Sequence, residues 1–156
     1  MTCKSRLEKY FQENGVPFQS MTHEVVYTAQ EVAAAQRVSG HQVAKTVITR
    51  AGEQLVMLVL PAANRVNPDK LVAVLGSAPI AFAKEREFRH LFPDCEVGAM
   101  PPFGNLYNIP VYVDQSLSEV QEIVFRAGTH RDTMKITYAD FVRLAKPTVA
   151  DFAMPG

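Results

Sequence analysis

Apolar positions fall first at helical spacing, then in unbroken runs, then at helical spacing again. Ser5 to Asn14 sets Leu7, Tyr10 and Phe11 on one face, and Gly15 follows where a left-handed residue ends a helix. Thr28-Ala29-Gln30-Glu31 has capping-box spacing, so a second helix is predicted from there to about Arg37, ended by Ser39-Gly40. Two strands come next, Gln42 to Arg50 and Gln54 to Leu60, joined at hairpin length through Ala51-Gly52-Glu53. Leu55 to Leu60 is apolar at every position, which predicts a strand covered on both faces.

Asn67-Pro68 supplies a cap and a first-turn proline for a helix that Gly76 closes. Pro79 to Ala83 reads as extended, Lys84 to Phe92 as a helix, and Glu96-Val97 as the lead into a proline-bearing loop. Ile109 to Val113 and Ile123 to Ala127 are strand-like, with a short capped turn at Ser116-Leu117-Ser118-Glu119 between them. Met134 to Ile136 extends the sheet, and Thr137 to Asp140 opens a final helix carrying Phe141, Leu144 and Ala145. Helices interleaved with hairpin-linked strands predict an α/β domain around a mixed sheet, not a doubly wound parallel one. No repeat or low-complexity linker interrupts the pattern, so 1–156 is expected to be a single domain.

Composition narrows the chemistry. With 16 basic and 16 acidic residues the chain has no net charge, so it does not coat nucleic acid through bulk counterion release, and any RNA contact must be local. DNA is not an expected partner. Cys3 and Cys95 lack the spacing of a zinc or redox motif; Cys3 is expected in a frayed N-terminal segment, and Cys95 has no paired base. No apolar signal segment opens the sequence and no run approaches the roughly 18 apolar residues of a membrane span. A cytoplasmic protein with no membrane partner is the expectation.

Lys45 is the residue out of place, a cation within Gln42 to Thr49, which otherwise reads as a buried strand. Its stem can pack along the sheet while the ammonium reaches water, or the ammonium can face a pocket and hold a phosphate or polarise a carbonyl. Downstream, Gly98-Ala99-Met100-Pro101-Pro102-Phe103-Gly104 forms a loop in which adjacent prolines fix two φ angles and flanking glycines allow close approach to the backbone. Such a loop either serves as ordinary surface punctuation or aims amides at an oxyanion. Gly128-Thr129-His130 follows a strand; its histidine reads as a solvated loop residue or a proton-transfer group. His23, His41 and His90 show no metal-ligand spacing, so no metal or other cofactor is expected. Asp114, Glu119 and Glu122 read as solvated carboxylates, and no Gly-x-Ser-x-Gly elbow marks a serine hydrolase.

Taken in order, Val43-Ala44-Lys45-Thr46-Val47, Gly98-Ala99-Met100-Pro101-Pro102 and Gly128-Thr129-His130 resemble the YbaK/prolyl-tRNA-synthetase-associated family of aminoacyl-tRNA editing domains. The likeness runs from about His23 through Phe141. It implies a mixed, strongly curved sheet surrounded by helices, and hydrolysis of the ester joining a wrong amino acid to a tRNA. Lys45 and Gly98 are the catalytic positions it implies, with Thr28, Thr46, Pro101, Pro102, Gly104, Gly128, Thr129 and His130 as substrate-binding positions. Lys45 would hold the terminal adenosine or its phosphate, and Gly98 to Pro102 would position the aminoacyl carbonyl. A water or the adenosine 2′-hydroxyl serves as nucleophile in such a family, in keeping with the lack of an activated side chain. The partners implied are the acceptor end of a mischarged tRNA and an aminoacyl-tRNA synthetase. Pro-Pro-Phe after Met100 and Thr46 after the lysine depart from some relatives and bear on amino acid choice. A small aminoacyl group, alanine, serine or cysteine, is expected in the pocket. A module that binds a nucleotide or aminoacyl-adenosine without turnover, or one that assists a synthetase, is the alternative.

Overall fold

The computed structural model describes residues 2–76 and 80–156. Helix α1 (Cys3–Glu13) is capped by Thr2 and buries Cys3, Leu7 and Phe11, so the N-terminal segment is packed where fraying was expected. Strand β1 (Gln19–Thr22) follows; its polar, mostly exposed residues gave no alternation to read. Helix α2 (Ala29–Gln36) starts at the Thr28–Glu31 capping box, and Arg37 itself takes the left-handed conformation that ends it, ahead of Ser39-Gly40. Strands β2 (Ala44–Ala51) and β3 (Gln54–Pro61) pair in one continuous antiparallel register, Lys45 opposite Leu60, around a turn that Gly52 makes at φ 63°.

Strand β4 (Asn64–Val66), helix α3 (Pro68–Leu75, capped by the Asn67 side chain) and strand β5 (Ile80–Phe82) come next. Pro79, placed by sequence in the extended segment, lies outside the described residues. The helix expected over Lys84 to Phe92 shortens to α4 (Glu85–Phe88) and one 3-10 turn at Arg89–Leu91. Pro93 sets the end of that turn, since the residue before a proline is driven out of helical geometry and Phe92 sits at ψ 62°; the α-helix itself breaks earlier, at Phe88 with φ −130°. Strand β6 (Val111–Asp114) leads into a 3-10 turn, Gln115–Glu119, capped by Asp114. Strands β7 (Glu122–Arg126) and β8 (Asp132–Thr137), helix α5 (Tyr138–Ala145), and strands β9 (Thr148–Ala150) and β10 (Ala153–Pro155) complete the chain. β4, β9 and β10 went unread because three residues cannot show a period.

The strands form a mixed sheet in the order β5-β2-β3-β6-β9, an antiparallel sheet β1-β8-β7 and the pair β10-β4. β3 is the buried centre: Val56, Met57, Leu58, Val59 and Leu60 are all almost inaccessible. The expected mixed sheet flanked by helices is present as the five-stranded sheet, which does not close; the remaining strands form the separate sheet and pair. A parallel bridge between Val43 and Val124, with the Val124 amide donating to the Gln42 carbonyl at 3.1 Å, ties β7 to the start of β2. β5 reaches only Thr49 to Ala51 of β2, leaving the preceding residues of that edge without a sheet partner.

Asp114 is the polar anchor of the C-terminal segment. Read by sequence as solvated, it is 2% exposed and accepts from the amides of Phe152 at 2.8 Å, Ala153 at 2.9 Å and Ser116 at 3.0 Å. Burial pushes its pKa up, but the Ser116 hydroxyl and those amides outweigh it and hold the carboxyl below its ordinary range.

Candidate active site

Lys45, Thr46, Gly98 and Arg126 line one pocket of about 170 Å³ where β2 and β7 meet. The gap in the sheet creates it. Along β2, residues alternate between bonding β3 and facing the opposite edge; the Val43 carbonyl accepts from Ala62 on the β3 side, and the Ile48 carbonyl from Ala83 on the other. By that alternation the Thr46 backbone faces the unpaired edge. The loop after Glu96 covers this edge, and the Thr46 hydroxyl reaches the Met100 carbonyl at 3.4 Å.

That loop is held from behind. Phe103 is fully buried, with ring centroids 5.5 Å from Phe11, 5.6 Å from Phe125 and 5.7 Å from Phe141, in steep edge-on contacts. Burying one such ring contributes about 1.5–3 kcal/mol, and each edge-on pair about 0.5–1.5 kcal/mol more. At its front, the Glu96 amide donates to the Gly128 carbonyl at 2.7 Å, the Gly128 amide to the Ala99 carbonyl at 3.0 Å, and the His130 amide to the Glu96 carboxylate at 2.7 Å. Gly98 takes φ 83°, where a side chain would be strained, although a Cβ would meet nothing nearer than His130 Cε1 at 3.6 Å. Conformation, not space, asks for glycine there.

Two cations share the pocket. Lys45 is half-buried, and its ammonium donates to the Asn64 carbonyl at 2.5 Å with the Ala62 carbonyl at 3.5 Å. Burial lowers its pKa below the ordinary lysine value. Arg126, on the last residue of β7, donates through Nη1 to the Gly98 carbonyl at 2.8 Å and lies 3.3 Å from His130 Nδ1. Burial lowers its pKa as well, against the attraction of Glu31. The Thr28 cap positions that carboxylate: Glu31 Oε1 accepts from the Thr28 amide at 3.1 Å. His130 Nε2 donates to the Val97 carbonyl at 2.8 Å, and its ring lies 4.8 Å from that of the exposed Tyr27 at the pocket edge. It is a held histidine, not a freely solvated one.

The profile of the aminoacyl-tRNA editing domain family matches residues 23–144, most of the chain and all of the pocket. The chain belongs to that family. It is 27% identical over 152 residues to the multifunctional Ser/Thr-tRNA deacylase ProXp-y of Escherichia coli K12, covering 94% of this chain and 90% of the relative. Over 91 residues it is 28% identical to the proline–tRNA ligase of Bacillus cytotoxicus, spanning 58% of this chain but 16% of the ligase. A solved structure of a protein proposed as a trans-editing enzyme for prolyl tRNA synthetase superposes with a TM-score of 0.84 at 22% identity, over 99% of this chain and 98% of the other.

In this editing domain, the residues singled out by sequence fall into three places. Lys45, Thr46 and Gly98 line the pocket, and Thr28 and His130 adjoin it through Glu31 and Arg126. Pro101, Pro102 and Gly104 are buried behind the loop; a Cβ on Gly104 would sit 2.7 Å from the Ile109 carbonyl oxygen, so they shape the loop without lining the pocket. Gly128 and Thr129 line a separate cavity with Cys3, Asp94 and Cys95. There a Cβ on Gly128 would lie 2.4 Å from the Cys3 Cβ, and the Tyr107 hydroxyl sits 3.7 Å and 3.5 Å from the two sulfurs. Arg126 and Tyr27 were not singled out. Arg126 carries the same signal as Lys45, a cation in the apolar run Ile123 to Ala127; nothing local distinguishes an exposed Tyr27.

Proposed function

We propose that this editing domain hydrolyses the ester joining an amino acid to the 3′ end of a mischarged tRNA, with Lys45 and the Gly98 loop positioning the substrate. The observation that carries it is a pocket with two cations and a rigid backbone loop but no Ser, Cys, His, Asp or Glu among its lining residues. Such a site has donors for a negatively polarised oxygen, and its aliphatic hydroxyl, Thr46, is turned to the Met100 carbonyl, which suits attack by water or the ribose 2′-hydroxyl. Lys45 holds the terminal adenosine or its phosphate through the third N–H of its ammonium. The acceptor end is the local RNA contact that a chain without net charge can make.

Small aminoacyl esters are the substrates this reading expects, because a loop stiffened by Pro101 and Pro102 does not widen easily, in line with the name of the E. coli relative. A synthetase is the second partner, prolyl-tRNA synthetase foremost, given the segment shared with proline–tRNA ligases. The cytoplasm, where those partners meet, is where we place its work. The test is release of free amino acid from alanyl-, seryl-, threonyl-, cysteinyl- and phenylalanyl-tRNA. Multiple turnovers on the small esters are expected; binding without release, or fastest release of phenylalanine, refutes the reading.

A further inference from the structure

Lys45, the residue that sequence marks as the cation of the site, has its ammonium engaged by backbone: Asn64 at 2.5 Å, with Ala62 at 3.5 Å. Arg126 differs. Its Nη1 is fixed by the Gly98 carbonyl at 2.8 Å, and its Nη2, buried from solvent, has no hydrogen-bond partner among the described residues. A buried charged donor left unpaired costs upwards of about 1–3 kcal/mol, so its retention calls for a partner in some state of the molecule. Because a guanidinium is planar, pinning one nitrogen fixes the direction of the other.

His130 completes the clamp. The Val97 carbonyl can only accept, so Nε2 carries the hydrogen, and Nδ1 is left as acceptor toward Arg126 Nη1. The same guanidinium therefore reads the Gly98 carbonyl and the His130 ring, tying the loop and the Gly-x-His turn to one donor that lines the pocket.

We propose that Arg126 is a catalytic residue whose guanidinium receives the carbonyl oxygen of the aminoacyl ester as it becomes an oxyanion, Nη2 being uncovered as the ester enters, with His130 as the positioning residue that orients the guanidinium. The inference rests on the deacylase reading. Water attacks the ester carbon, forming a C–O bond while the carbonyl π pair moves onto the oxygen that Arg126 faces. Collapse restores the double bond and breaks the bond to the ribose oxygen, which takes the proton the water gave up. A guanidinium already oriented by the Gly98 carbonyl and the His130 ring stabilises that charge with little reorganisation, and it favours the oxyanion over the ground-state carbonyl.

The test compares wild type, Arg126→Lys and Arg126→Ala on seryl-tRNA, with kcat and KM separated and each fold checked by thermal melting. Removing one oxyanion donor lowers rate by about 10²- to 10³-fold, so kcat should fall by that factor in both variants while KM moves less than about threefold. Arg126→Lys keeps one donor for the Gly98 carbonyl and should melt near wild type without recovering kcat, and millimolar guanidinium should restore part of the Arg126→Ala rate. Wild-type kcat in either variant overturns the assignment, as does a loss confined to KM, which would make Arg126 a phosphate anchor. A wild type that hydrolyses no ester of the panel overturns the deacylase reading and this inference with it, an outcome distinct from an active wild type whose variants stay active.

Discussion

Replacing Lys45 with methionine separates the chemistry of the site from the stability of the fold. The change keeps an apolar stem along β2 and removes the charge. Lost is a charge-assisted hydrogen bond to the Asn64 carbonyl at 2.5 Å, a class of contact worth about 1.5–3 kcal/mol. The Ala62 contact at 3.5 Å is too long to add much. Recovered is the desolvation of a half-buried ammonium, several kcal/mol for a fully buried ion and a fraction of that here. The two offset each other, and Lys45→Met should unfold in urea within about 1 kcal/mol of wild type at pH 7. The pH dependence has a definite sign. Burial lowers the folded-state pKa below the model-compound 10.5, so between the two values the unfolded chain binds more protons and wild-type stability rises with pH. Lys45→Met lacks that rise and should lose ground relative to wild type as pH approaches 10. Deacylation of seryl-tRNA, measured in single turnover, should fall at least about 10²-fold. Near-normal turnover, or a stability loss above about 3 kcal/mol, would refute the reasoning.

Gly128→Ala drives a Cβ to 2.4 Å from the Cys3 Cβ at φ 93°; overpacking and strain together should cost about 2–4 kcal/mol and lower Tm by roughly 5–15 °C, and a Tm within 2 °C of wild type contradicts it. Asp114→Ala leaves the buried Phe152 and Ala153 amides without their acceptor, about 2–5 kcal/mol by denaturant titration. The wild-type contribution of this carboxylate, whose folded pKa is depressed, is present above its ordinary 3.8 and lost as pH falls through the folded value, so acid unfolding should begin below about pH 4 and Asp114→Ala should lack that step. No three His, Cys, Asp or Glu side chains gather into a metal site among the described residues, and neither cysteine lines the pocket. The double variant Cys3→Ala, Cys95→Ala, assayed with and without EDTA, should therefore keep kcat, and a tenfold loss in either condition would sink that expectation.

Punctuation made most of the fold readable. Gly15, the Thr28–Glu31 box, Asn67-Pro68 and the unbroken apolar run of β3 each state a local backbone requirement, and each is met. What sequence could not show is what depends on long-range contact. Asp114 looked solvated because its amide partners lie 38 and 39 residues away. Cys3 looked frayed because the glycine that admits it is Gly128. At the site, Lys45 and Gly98 were legible as a cation in an apolar strand and a glycine opening a proline loop. Pro101 and Pro102 carried the right signal for rigidity and the wrong one for location, since stiffness reads the same whether a loop faces a ligand or the core.

The unpaired edge of β2 has a consequence for amide exchange. Lys45 and Val47 bond toward β3 while Thr46, between them, faces the pocket, so one strand should hold slow, fast and slow exchanging amides in succession. A bound aminoacyl end would slow the middle one and leave its neighbours unchanged. Thr46 is thus a spectroscopic gauge of occupancy that needs no turnover to read.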